Sequence, residues 1–232
     1  LRISRDRHRA SLSVANTTTG EFRDLFVDSL NTYMETRQPR RLSDGSWLWW
    51  SEQDGWAHIY RYSADGSLRN RVTSGPWHVD GIVGVDEPRG YVFLTGQGRE
   101  ADEDPYYQHL YRVNLDGSGI TLLNPGDYDH RFAMGESRRF FVDSYSRVNT
   151  TPASALYNAQ GTKILDLEVS DFSALEAAGY SFPEPFVAEA ADGVTDIYGV
   201  MYKPYDFDPN KRYPIEKRLD PRRGSSLHIT LL

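Results

Sequence analysis

Six histidines are the first side chains in this 232-residue sequence with a chemistry to offer, as bases, cations or metal ligands. Their spacing favours none of these roles. His58 and His109 stand 51 residues apart, and His78 and His130 stand 52 apart. A catalytic base or a metal site is needed once, whereas a side chain that returns at a fixed interval more simply bonds backbone groups or caps strands. Asp127, Asp129 and His130 bring carboxylates and an imidazole close together, but their spacing matches neither a calcium loop nor a zinc motif. A surface turn is expected there, with no metal and no cofactor. The absence of cysteine excludes a thiol nucleophile, thiolate metal sites and disulfides, and says nothing about compartment. All five tryptophans fall between positions 47 and 77, as a binding platform or a core would need. Trp47 and Trp49 share one face of a strand and Trp50 takes the other, so packing between layers is expected; Trp56 and Trp77 stand beside turns and are expected to be more exposed.

The elements that must position these residues repeat. His58-Ile59-Tyr60-Arg61-Tyr62 with Asp65-Gly66 returns as His109-Leu110-Tyr111-Arg112-Val113 with Asp116-Gly117. Weaker copies end at Gly20 and Gly161, so the marker glycines are spaced by 46, 51 and 44 residues. A period of this size signals a repeat architecture. Short β-type runs at 47–51, 58–62 and 68–73 are punctuated by Asp-Gly pairs; 81–85, 91–95, 108–113 and 120–123 repeat the plan, as do 132–134, 139–144, 155–157 and 164–167. Four strands in about 45 residues fit a β-propeller blade. The expected fold is all-β, a partial propeller of about three and a half four-stranded blades over residues 1–168, with the first blade short of its innermost strand. A sandwich with coincidental spacing is the alternative. Residues 169–185 read as a short helix, with Asp171 or Ser170 as N-cap and Gly179 as stop, followed by a proline-marked linker. Runs at 186–190 and 195–202 around Asp192-Gly193 read as a β-hairpin that is not a further blade.

Composition bounds the function. The net charge of −7 is unsuited to gripping a polyanionic backbone, so no nucleic-acid partner is expected. No apolar run exceeds four residues, against the roughly 20 of a spanning helix, so no membrane span is expected. The opening Leu1-Arg2-Ile3-Ser4 has neither an initiator Met nor a signal core, and the chain reads as a piece cut from a longer protein.

Several stretches resemble the dipeptidyl peptidase IV branch of the prolyl oligopeptidase family. They are Trp49-Trp50-Ser51-Glu52-Gln53-Asp54-Gly55-Trp56-Ala57-His58-Ile59-Tyr60-Arg61-Tyr62, Thr73-Ser74-Gly75-Pro76-Trp77-His78-Val79, Tyr198-Gly199-Val200-Met201-Tyr202-Lys203-Pro204 and Phe207-Asp208-Pro209-Asn210-Lys211-Arg212-Tyr213-Pro214. The resemblance implies an eight-bladed propeller capping an α/β-hydrolase domain that starts over 186–215, with its opening hairpin at 186–202. It also implies a Ser-Asp-His triad that removes N-terminal dipeptides, often after proline. The family's serine lies in a G-x-S-x-G elbow. Gly135-Glu136-Ser137-Arg138-Arg139 and Gly224-Ser225-Ser226-Leu227 lack the second glycine, so no catalytic residue is assigned to this chain, and the family's paired glutamates have no counterpart in it. By position in the resemblance, Tyr33, Glu35 and Arg37 are the candidate substrate-binding residues.

The reading that follows is the access-controlling part of a serine dipeptidyl peptidase, with a peptide substrate and a possible homodimer for the full-length parent. A periplasmic or extracellular location is expected from relatives of this bacterial type. A non-catalytic, TolB-like interaction propeller and an inactive peptidase relative are the alternatives. Residues 211–223 carry six basic and two acidic side chains, a density that a buried central strand does not tolerate. Residues 216–232 therefore read as a frameshifted, truncated or vector-derived end, expected to be disordered, with a basic interaction tail as the second reading.

Overall fold

The Asp-Gly pairs and the period-two runs between them fold into successive antiparallel meanders in the computed structural model, which describes residues 1–220 and 226–231. The first blade holds β1 (Arg2–Ile3), β2 (Arg9–Ala15) and β3 (Phe22–Ser29). The second holds β4 (Arg40–Arg41), β5 (Trp47–Ser51), β6 (His58–Tyr62) and β7 (Leu68–Arg71). The third holds β8 (His78–Asp86), β9 (Tyr91–Gln97), β10 (Gln108–Asn114) and β11 (Thr121–Leu122). The fourth holds β12 (Asp129–Met134), β13 (Phe140–Ser146), β14 (Ala153–Asn158) and β15 (Lys163–Val169). Each blade pairs its strands in chain order. The architecture is a partial β-propeller of three-stranded and four-stranded blades.

Three apolar layers lie between the blades. Leu12, Phe26, Met34, Trp49 and Tyr60 fill the first joint, Leu48, Trp50, Ile59, Leu94 and Tyr111 the second, and Phe93, Leu110, Leu123 and Phe141 the third. Adjacent residues of one strand thus enter different layers: Trp49 and Trp50 face opposite ways, as do Phe93 and Leu94. Both faces of the second and third sheets are buried, which is why their strands read as runs of apolar residues rather than as simple alternation. Trp47 packs on the same layer as Trp49. Trp56 is 47% exposed, as its turn position suggests, but Trp77 is only 3% exposed and so departs from expectation. The reason is a vacancy that glycine creates: an added Cβ on Gly96 would strike the Trp77 ring, which also packs beside Tyr111 and donates from Nε1 to the Ser74 carbonyl.

The marker glycines explain the repeat physically. Gly66 and Gly117 have φ of +97° and +89°, and an added Cβ would collide with the Leu25 and Arg71 carbonyls of the preceding blade. Each turn therefore needs both the left-handed backbone and the close approach that only glycine allows.

After the blades, α1 (Ser173–Ala177) begins one residue later than expected: its N-cap is Phe172, while the Asp171 carboxylate accepts from the Ser173 N–H. Then β16 (Glu184–Glu189) and β17 (Asp196–Tyr202) form the expected hairpin. The expectation of a disordered tail does not hold for its described residues. Here β18 (Ile215–Asp220) pairs antiparallel with β19 (Ser226–Leu231), which lies parallel to β17, giving the order β16-β17-β19-β18. The charged segment forms an edge strand, where charge is tolerated, rather than the buried central strand that the composition excludes. Residues 221–225 and 232 of that tail lie outside the described residues.

Candidate functional site

The segment 31–37 joins the first blade to the second and alternates around an anchor. Met34 is buried in the first apolar layer, and its N–H donates to the Arg7 carbonyl at 2.8 Å. Its neighbours Tyr33 and Glu35 are exposed, Tyr33 at 62%. Arg37 is held from three sides. Its guanidinium lies 4.6 Å from the Trp50 ring centroid, Nε donates to the Asp80 carbonyl at 3.1 Å, and Nη1 pairs with Glu35 at 2.9 Å. A cation over an indole face and a backbone acceptor fix the fork while leaving the side chain 40% accessible.

Arg37 therefore meets Glu35 directly, whereas Tyr33 stands apart from that pair and stacks under Arg7, whose guanidinium lies 4.9 Å from the phenol ring. Arg7 was not legible as a neighbour. It adopts φ of +56°, and its buried Nε has no hydrogen-bond partner among the described residues. The pattern offered only a run of basic residues before a strand, and the hairpin turn that brings it over Tyr33 is a tertiary feature.

Polar groups continue from Arg37 along one end of the third blade. His78, Gln97 and Gln108 occupy one row across β8, β9 and β10. The Gln108 amide donates to Asp80 at 2.9 Å and its N–H to Asp129, while His78 Nε2 lies 3.5 Å from Asp80. His78 is half-buried, unlike its recurring counterpart His130, which is buried. The loop 98–107 leaves from this same row, and there Tyr106 makes an edge contact with Tyr198 of β17 at 6.0 Å. The β16–β17 hairpin thus abuts the end of the propeller that carries Arg37. Burial raises the Asp104 carboxyl, the nearby Asp127 and Asp129 adding to the effect, and burial together with these carboxylates pushes the Tyr107 phenol up to about 12.

The other tempting residues are placed apart. Asp127 pairs with Arg147, Asp129 caps Gln108, and His130 turns inward to Asp143 at 2.8 Å. Among the described residues no group of three metal-type ligands is gathered. Ser137 lies in the β12–β13 turn, where its hydroxyl accepts from the Arg139 N–H.

His58 and His109 do hold equivalent structural positions. His58 Nδ1 meets the Thr73 hydroxyl at 3.1 Å and Nε2 the Gly75 carbonyl at 2.9 Å, while the Ile59 N–H donates to Thr73. One blade later His109 Nδ1 meets the Asn124 carbonyl at 3.3 Å, Nε2 meets Glu103 at 2.8 Å, and the Leu110 N–H donates to the Asn124 side chain.

Fold and site together define a propeller segment followed by a separate four-stranded sheet, with a polar, arginine-bearing edge at the end of the blades that meets that sheet. Residues 2–152 match the family described as Dipeptidyl peptidase IV (DPP IV) N-terminal region, and the chain belongs to this family. It is 33% identical over 155 residues to human Dipeptidyl peptidase 8, covering 62% of the chain and 17% of that protein. It is 26% identical over 170 residues to Dipeptidyl peptidase 4 of Trichophyton equinum, covering 71% of the chain and 21% of that protein. The chain thus spans about a fifth of the length of these relatives. The crystal structure of Porphyromonas gingivalis dipeptidyl peptidase 4 superposes on 99% of the chain and 35% of its own with a TM-score of 0.76 at 20% identity, a likeness of fold.

Proposed function

We propose that this chain is the propeller-to-hydrolase passage of a serine exopeptidase that releases dipeptides, often after proline, from peptide N-termini. The observation that carries the reading is the shared end: the Glu35–Arg37 pair and the Tyr106–Tyr198 contact lie at the side of the blades that meets the hydrolase hairpin. A peptide reaching the hydrolase from that side passes exposed Tyr33, Glu35 and Arg37, which can stack on a side chain, hold an ammonium and donate to a carbonyl. The blades restrict entry to unfolded chain ends, and loop groups that fix the peptide's position beside the parent's nucleophile lower the entropic barrier to reaction. The chain has no G-x-S-x-G, so positioning is its share of the work and nucleophilic attack belongs to the parent. The hairpin of β16 and β17 supports this reading over an interaction module. A periplasmic or extracellular location and a homodimeric parent complete the proposal, testable by cell fractionation and light scattering.

The test is a Gly-Pro anilide assay on the full-length parent with a fluorophosphonate probe. Dipeptide release should be abolished by the probe, with the label on a serine outside residues 1–232. A label within them, or internal cleavage without dipeptide release, would contradict the proposal.

A further inference from the structure

The two buried histidines at the joint between the third and fourth blades differ from His58 in one respect that chemistry makes consequential. His58 is satisfied as a neutral ring, because Nε2–H donates to the Gly75 carbonyl and the Thr73 hydroxyl donates to Nδ1. His109 has no such choice: Nδ1 faces the Asn124 carbonyl and Nε2 faces the Glu103 carboxylate, and both only accept. His130 is placed alike, with Nδ1 toward Asp143 and Nε2 toward the Gly126 carbonyl at 3.2 Å. Every bond at either ring is made together only when that ring carries two N–H donors.

The rings lie 4.8 Å apart, centroid to centroid. Two cations at this distance would repel, but each has its own carboxylate, and Asp143 also accepts from the Asn124 amide at 3.1 Å. The groups facing them are accounted for from every side. Tyr111, which His109 meets edge-on, is tied to Glu100 and lies under Arg99. Tyr128 and Tyr145 flank His130, and Arg147, paired with Asp127, covers Tyr128. Glu103 belongs to the loop 98–107, whose Asp102 is held at φ of +63°, a conformation that surrounding contacts must maintain. That loop also carries Tyr106 to Tyr198.

We propose that His109 and His130 form a proton-dependent latch between the third and fourth blades, which through Glu103 pins the loop 98–107 against the hydrolase hairpin. With both rings doubly protonated the joint has four charge-assisted bonds or bonds to carbonyls; loss of a proton breaks one bond at that ring and leaves a lone pair against an oxygen. This inference uses the hydrolase hairpin as a structural neighbour and does not depend on peptidase activity.

The direct test is histidine-selective 15N NMR on the whole chain from pH 6 to 8. His109 and His130 should show protons on both ring nitrogens where His58 shows one. Glu103→Gln, which keeps the side-chain shape but removes the charged acceptor, should leave His109 with a single ring proton and make the loop 98–107 more susceptible to protease at pH 6. Single-proton rings at both His109 and His130 at pH 6, or a Glu103→Gln protein with unchanged ring protonation and loop protection, would overturn the proposal.

Discussion

The second and third blades carry the same strands, the same marker glycine and the same histidine position, and differ in what receives the ring. In the second, Thr73 supplies a hydroxyl that donates or accepts; 51 residues later Asn124 presents its carbonyl, and Glu103 takes the other nitrogen. A repeat keeps geometry more strictly than chemistry, so one histidine position meets a hydroxyl in one blade and only acceptors in the next. Burial holds the His58 ring below its ordinary value, opposed by the Gly75 carbonyl. A folded value below the unfolded one means the unfolded chain binds more protons, so stability from His58 is present above about pH 6.5 and lost as pH falls. His58→Gln should therefore flatten the acid side of an unfolding-midpoint profile, while leaving the change expected of Glu103→Gln intact.

The largest break in the comparison should come from Asp143→Ala, which strands the His130 and Asn124 donors in a buried joint. A loss of about 3–5 kcal/mol is expected by urea unfolding, and a loss under about 1 kcal/mol would show that water reaches the joint. Next, Gly66→Ala and Gly117→Ala should cost alike, each about 1–3 kcal/mol more than Gly20→Ala, because Gly20 shares the positive φ but has open space where the others meet a carbonyl. Unequal costs would mean that the blades are stacked less regularly than the repeat implies. Thr73→Val removes the hydroxyl shared by His58 and the Ile59 N–H, and should lower stability by about 1–3 kcal/mol. At the small end, Trp56→Ala should stay within about 0.5 kcal/mol, since its ring is exposed.

How much of this was legible follows from range in sequence. The strands at 47–51 and 58–62 were readable to the residue because Asp-Gly turns bracket them, and the histidine recurrence marked a structural position. The partners that decide each ring's chemistry were not readable: Glu103 sits in a loop and Asp143 on the next blade, and nothing local ties them to His109 or His130. Trp77 misled because its burial depends on the missing side chain of Gly96, a residue in another strand. The tail misled because charge excluded a central strand and the sheet uses an edge. At the candidate site, family position pointed to Tyr33, Glu35 and Arg37, but the Trp50 platform, the Asp80 carbonyl and Arg7 arrive only through folding.

The central claim is that this propeller edge orients the substrate, and Arg37 tests it most directly. In the full-length parent, Arg37→Ala should raise KM for a Gly-Pro anilide by about tenfold or more, the value of one charge-assisted hydrogen bond, with the folded state unchanged by near-UV circular dichroism. Arg37→Lys, which keeps the charge without the fork, should recover only part of the loss. An Arg37→Ala enzyme with wild-type KM and kcat would contradict the account.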